Sequence, residues 1–158
     1  GIDNVPLLIQ LIVNGNEVDV IEFSARTGGG SKVFFLREMV GFDVIENLLD
    51  ITFGEKPKIH VEASKENAII KYVYTYPGIF SKIENLDKLH SDGYIMATYQ
   101  YKPYGTKISS SNYSSDRPVG FLIKGKDKYE LKKKIDYINQ HISILDENGL
   151  DIMRHDFF

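Results

Sequence analysis

The apolar positions between residues 5 and 54 fall first into two short runs of strand character and then into two runs with helical spacing. Leu7–Val13 and Val18–Ser24 flank an Asn-Gly turn, which predicts a β-hairpin. After Gly28-Gly29-Gly30, apolar Val33, Phe34, Leu36, Met39 and Val40 share one side of a helix that Ser31 is placed to cap and Gly41 to end. Asp43 then opens a second helix through about Thr52, with Val44, Ile45, Leu48, Leu49 and Ile51 expected inward and Gly54 closing it. Glu55-Lys56-Pro57 reads as a surface link, so the chain is divided into residues 1–56 and 57–158.

The second part changes character. Ile59–Ala63, Ala68–Tyr76, Gly78–Ile83, Tyr94–Tyr101, Val119–Lys124, Ile142–Leu145 and Leu150–Met153 are candidate strands rich in Tyr, Ile and Val. Lys102–Pro118 reads as a loop with a mobile Ser-rich centre. Asp127 and Glu130 form a capping-box pattern ahead of Leu131, Ile135, Ile138 and Ile142, while Lys132-Lys133-Lys134 are expected to face water. The fold class is therefore α+β: an antiparallel hairpin with helices, then a small antiparallel sheet covered by one helix.

Composition narrows the functions open to such a chain. It has 158 residues, 42% hydrophobic and 26% charged, which excludes disorder and membrane embedding. No apolar run approaches the roughly 18 residues of a spanning helix. Cysteine is absent, removing disulfides, thiolate metal sites and cysteine nucleophiles, and fitting a reducing cytoplasm. A net charge of −3 offers no basic field for nucleic acid. The sequon at Asn112 matters only in a secreted chain and reads as chance. Hydrophobic structure begins almost at Gly1, so the chain is expected to continue a longer protein upstream.

The chemistry concentrates after the first hairpin. Glu22 and Ser24, two apart, share a strand face and lead through Arg26 into the three glycines. A carboxylate, a hydroxyl and, from the preceding strand, the amide oxygen of Gln10 are hard ligands suited to Mg²⁺. Arg26 suits bidentate contact with phosphate oxygens, and Gly28, Gly29 and Gly30 let backbone approach closely. A polar strand end followed by a glycine turn is the alternative reading of the same residues. Joint action of Gln10 and Glu22 depends on parity. A two-residue Asn14-Gly15 turn would set Gln10 opposite Asp19 and away from Glu22, so the expectation is a loop of odd length, Asn14-Gly15-Asn16 with a glycine bulge.

IEFSARTGGG, with the glutamine of LLIQL on the strand before it, resembles the carboxy-terminal metal-binding segment of ATP-grasp enzymes. In that family Glu-x-Asn-x-Arg ends one strand, and a Glu or Gln on the preceding strand completes a magnesium site between the ATP phosphates. The glutamine is most similar to the large chain of carbamoyl-phosphate synthetase and its relatives. The resemblance implies Gln10 and Glu22 as metal ligands, with Ser24 standing where the family has Asn and supplying a weaker ligand for a second metal. It implies Arg26 as the residue that steadies the phosphoryl group or acyl phosphate.

VGFLIKGKDKYELKKKIDYINQHISIL more loosely resembles the small carboxy-terminal module of biotin-carboxylase-like and L-amino-acid-ligase-like members. The implied activity is MgATP-dependent ligation, Mn²⁺ being an acceptable substitute. A small carboxylate, bicarbonate or carbamate included, is activated as an acyl phosphate for attack by an amine. The implied partner is the upstream ATP-binding half of the same enzyme, without which this chain is expected to be inactive. Neither nucleic acid nor membrane is implied, and self-association stays open. A non-catalytic binding module that keeps the fold is the second reading, favoured by Ser24.

His60, His90, His141 and His155 match no metal spacing and read as structural or surface residues. Tyr72, Tyr74, Tyr76, Tyr94, Tyr99 and Tyr101 read as sheet packing rather than a stacking platform.

Overall fold

A computed structural model describes residues 3–109 and 113–158. The chain divides into two compact units, Gly1–Ser64 and Lys65–Phe158. In the first, β1 (Leu8–Asn14) and β2 (Glu17–Ser24) pair antiparallel, with Asn14 opposite Glu17. The loop is therefore Gly15-Asn16, two residues long, and Gly15 takes the left-handed φ of 62° that such turns demand. The expected odd loop is overturned, and the bulge lies elsewhere. Leu11 faces Val20 but Gln10 faces Glu22, so the register shifts there and Ile21 is the extra residue of a β-bulge.

That one residue restores the parity the even loop removes. The pairs Leu8–Ser24, Gln10–Glu22, Ile12–Asp19 and Asn14–Glu17 share a largely polar face, and Ile9–Phe23, Leu11–Val20 and Val13–Val18 share an apolar one. A bulge-free ladder from the same turn would set Glu22 opposite Ile9, with the apolar set.

α1 (Lys32–Val40) ends as expected at Gly41, whose φ is 68° and whose N–H reaches Arg37 O at 3.0 Å. Ser31 does not cap it. Its φ of 64° is left-handed rather than extended, and its side chain makes no capping bond. α2 (Val44–Thr52) is capped by Asp43, whose Oδ1 accepts from Ile45 N at 2.9 Å and Glu46 N at 3.1 Å. Ile45 and Leu49, expected inward, are 47% and 53% exposed. The expected strand Ile59–Ala63 does not form. Glu62 N and Ser64 N donate instead to Val40 O at 2.9 Å and Met39 O at 2.7 Å, satisfying carbonyls that α1 leaves orphaned.

The second unit contains β3 (Asn67–Tyr72), β4 (Gly78–Phe80), β5 (Lys82–Glu84), α3 (Leu86–Ser91), β6 (Ala97–Gln100), β7 (Thr106–Ile108), β8 (Val119–Gly125), α4 (Lys128–His141) and β9 (Ser143–Leu145). The main sheet is antiparallel in the order β3-β8-β6, with β4-β7 and β5-β9 as separate pairs. Its core joins Val119, Phe121 and Ile123 of β8 to Leu131, Ile138 and Ile142 at α4, with Phe80 and Ile144.

Several boundaries differ from expectation. Gly78–Ile83 divides into β4 and β5, and Leu150–Met153 contributes single bridges, Asp151 to Leu145 and Met153 to Thr75. β7 lies inside the expected loop, whose Ser-rich centre at residues 110–112, Asn112 included, is outside the described residues. Asp127 caps α4 by accepting from Glu130 N at 2.8 Å, while Glu130 Oε2 accepts from Lys126 N, one residue before the usual capping-box position. Lys134 is not simply solvated, because its Nζ donates to Lys124 O at 2.9 Å and Gly93 O at 3.3 Å. Among the described residues, no helix is long and apolar enough to cross a membrane.

Candidate functional site

Cross-strand pairing sets the Gln10 and Glu22 side chains side by side on the polar hairpin face, where directly opposed Cβ atoms lie about 4.5–5.5 Å apart. Ser24 follows two positions on, opposite Leu8. Glu17 and Asp19 continue this face toward the turn, and none of its three carboxylates has an ion-pair partner among the described residues. The surface is therefore acidic along the hairpin and ends in cations. Past Ser24 the chain turns, with Arg26 N donating to Ser24 O at 2.8 Å and Arg26 Nη1 to Thr27 O at 2.9 Å.

The glycines differ in what they provide. Gly30 has a left-handed φ of 69° that places the start of α1. Gly28 provides space: a Cβ there would lie 2.7 Å from Lys32 Cδ and 3.6 Å from Lys32 Nζ and Leu8 Cδ1. The lysine stem thus lies across the bare glycine, and Lys32 joins Arg26 on the wall of one cavity. That cavity has a volume of about 260 Å³ and is otherwise lined mainly by apolar side chains, among them Pro6, Leu8, Val33, Leu36 and Phe42. Neither cation has a carboxylate partner among the described residues. Lys32 escaped the sequence reading because its role depends on an i, i+4 relation to a glycine across a loop-to-helix junction, where no regular periodicity applies.

As a metal site the arrangement is open. Gln10, Glu22 and Ser24 present oxygen donors only, the chemistry that Mg²⁺ prefers. Among the described residues no group of three or more His, Asp or Glu side chains could hold a metal ion.

Other chemistry-bearing residues are engaged structurally. His90 Nε2 is 2.8 Å from Thr98 Oγ1. His155 bridges Asn139 Oδ1 at 2.9 Å and Asp151 Oδ2 at 3.1 Å. His141 stacks on Tyr137, which stacks on Tyr94. His60 lies in the irregular stretch after α2. The Arg117 guanidinium sits 4.2 Å from the Tyr72 ring centroid and 5.7 Å from that of Tyr74, so these rings are packing partners.

No protein-family model matches the chain, and no curated protein matches it by sequence. Its fold is nevertheless shared with solved structures. L-amino acid ligase from Bacillus licheniformis matches 94% of this chain over 38% of its own, with TM-score 0.73 and 20% identity. Phosphoribosylglycinamide synthetase from Anaerococcus prevotii matches 91% over 37%, with TM-score 0.68 and 20% identity. Both are ATP-grasp enzymes, and this chain is a partial ATP-grasp-like fold spanning less than two-fifths of either chain.

Proposed function

We propose that this chain carries the metal-binding end of an ATP-grasp carboxylate–amine ligase. Gln10 and Glu22 hold Mg²⁺ from adjacent strands, Ser24 supplies a weaker oxygen, and Arg26 with Gly28, Gly29 and Gly30 borders the transferring phosphoryl group. The observation that carries this reading is the Gln10–Glu22 pairing, which a bulge secures against the parity of the turn. When bound, Mg²⁺ would neutralise β- and γ-phosphate charge during formation of an acyl phosphate. The Arg26 guanidinium stabilises negative charge developing on the transferred group, and the bare Gly28 leaves room for the Lys32 stem beside it. The substrate is a small carboxylate, bicarbonate and carbamate included, and the acceptor an amine.

The remaining nucleotide site belongs to an upstream half. In support, Ile9, Leu11, Val13, Val18, Val20 and Phe23 on the apolar hairpin face are 46–67% exposed, whereas an isolated two-stranded hairpin is marginal in water. By itself the chain binds MgATP poorly and turns nothing over, and micromolar affinity in isothermal titration would overturn that. In the complete enzyme Glu22→Gln lowers turnover by roughly 10²-fold or more, as loss of one well-placed charge stabiliser does. An unchanged rate removes Glu22 from the site. Ser24, a poorer ligand than Asn, favours a second reading, a non-catalytic module, for which Glu22→Gln leaves binding of the partner intact.

A further inference from the structure

The cavity behind Gly28 is unlike a site built for a bare inorganic anion. Its cations, Arg26 and Lys32, belong to a wall whose other side chains are mostly apolar, and neither cation is neutralised by a described carboxylate. The Lys32 stem and Leu8 both border the space a side chain at Gly28 would take, and Leu8 stands opposite Ser24 on the polar face. The cavity therefore begins where the metal-binding face ends. At roughly 30 Å³ for each water molecule in the liquid, about 260 Å³ is room for eight or nine water-sized groups, several times the size of bicarbonate or acetate.

We propose that this cavity selects a carboxylate with a branched aliphatic body, its carboxyl group held by Lys32 together with Arg26 and its hydrocarbon lying against Leu8, Val33, Leu36 and Phe42. The inference rests on the ligase reading above and narrows its substrate class, disfavouring bicarbonate and carbamate. The logic is one of desolvation. An aliphatic body removes the apolar walls from water, while the two cations satisfy the only charged end. Bicarbonate would leave the walls wet, and an alcohol of the same shape would forgo the charge-assisted hydrogen bonds to the two cations.

The test is amide-detected NMR titration of the 158-residue chain with 4-methylpentanoate, acetate, bicarbonate and 4-methylpentan-1-ol. The expected result is saturable shifts at Gly28, Val33 and Leu36 with 4-methylpentanoate, and affinity at least about tenfold weaker for each of the other three probes. Lys32→Gln weakens 4-methylpentanoate about tenfold, the scale of one charge-assisted hydrogen bond. Leu36→Trp fills the slot and abolishes the response. Equal affinity for acetate and 4-methylpentanoate, or an unchanged affinity in Lys32→Gln, overturns the proposal. Mn²⁺ titrated alone scores the metal reading separately, through broadening of the Gln10 and Glu22 amides. Broadening there without a carboxylate response at Gly28 removes the slot and leaves the metal site, and a carboxylate response without broadening leaves the slot standing on its own evidence.

Discussion

Gly28→Ala separates the space a glycine provides from the stability it costs. Gly28 does not have a left-handed φ, so alanine meets no backbone strain there. The added methyl would lie 2.7 Å from Lys32 Cδ, about 1 Å inside the carbon–carbon optimum, and 3.6 Å from Leu8 Cδ1, an ordinary contact. Only the lysine has to move. It is exposed at the start of α1, so its stem swings into solvent at little cost. Replacing glycine also restricts the unfolded chain, a gain of about 0.4–1 kcal/mol. Net stability should therefore change by less than about 1 kcal/mol, whereas Lys32 Nζ leaves its place beside the cavity. The expected outcome is unaltered urea unfolding of the first unit, with 4-methylpentanoate affinity reduced about as far as in Lys32→Gln. A loss above about 3 kcal/mol would mean that the methyl strikes a rigid neighbour. Unchanged affinity with unchanged stability would mean that the lysine's position across Gly28 does not matter to the anion. Either result refutes the reasoning.

Ile138, fully buried between α4 and the sheet, should cost about 2–5 kcal/mol when truncated to alanine, read as a lower urea midpoint at constant m-value. Asp43→Ala should destabilise α2 by about 1 kcal/mol near neutral pH, measured by thermal unfolding followed by circular dichroism. Its carboxyl pKa is lowered, first by the Glu46 N–H and then, against the opposing cost of burial, by the Ile45 N–H and Arg37. A depressed carboxylate stabilises the fold fully above its ordinary value of 3.8 and loses that contribution as the pH falls further, so wild type and Asp43→Ala should converge in strong acid.

What could be read from residues alone follows from how local each signal is. The Asp43 cap, the Gly41 terminus and α4 rest on contacts within one or two turns, which the chain itself writes down. Ile59–Ala63 alternates like a strand, yet its donors at Glu62 and Ser64 go to α1 carbonyls about 20 residues upstream, a pairing no local pattern reveals. β7 is three residues long in a polar stretch, and its strand character comes from pairing with β4. α3 has six residues and escaped for the same reason, because short helices depend on tertiary packing.

The bulge is the instructive case, because its signal was present but in the strand rather than the turn. In VDVIEFS, Val18, Val20 and Phe23 belong to the apolar face and Asp19, Glu22 and Ser24 to the polar one. Strict alternation cannot satisfy both halves, since Val20 and Phe23 are three apart, and the phase slips at the adjacent apolar pair Val20-Ile21. β1 offers no contrary evidence, being apolar at every position before Asn14 except Gln10. Two remedies fit that slip: an odd turn, or an even turn with one extra residue in the strand. The odd turn does not repair the phase within β2 itself, because a turn shifts the whole strand together. Only an insertion between Val20 and Glu22 lets Asp19 and Glu22 share a face, and Ile21 is that insertion. The position of the candidate metal face thus follows from a phase defect in seven residues and not from the parity of the turn.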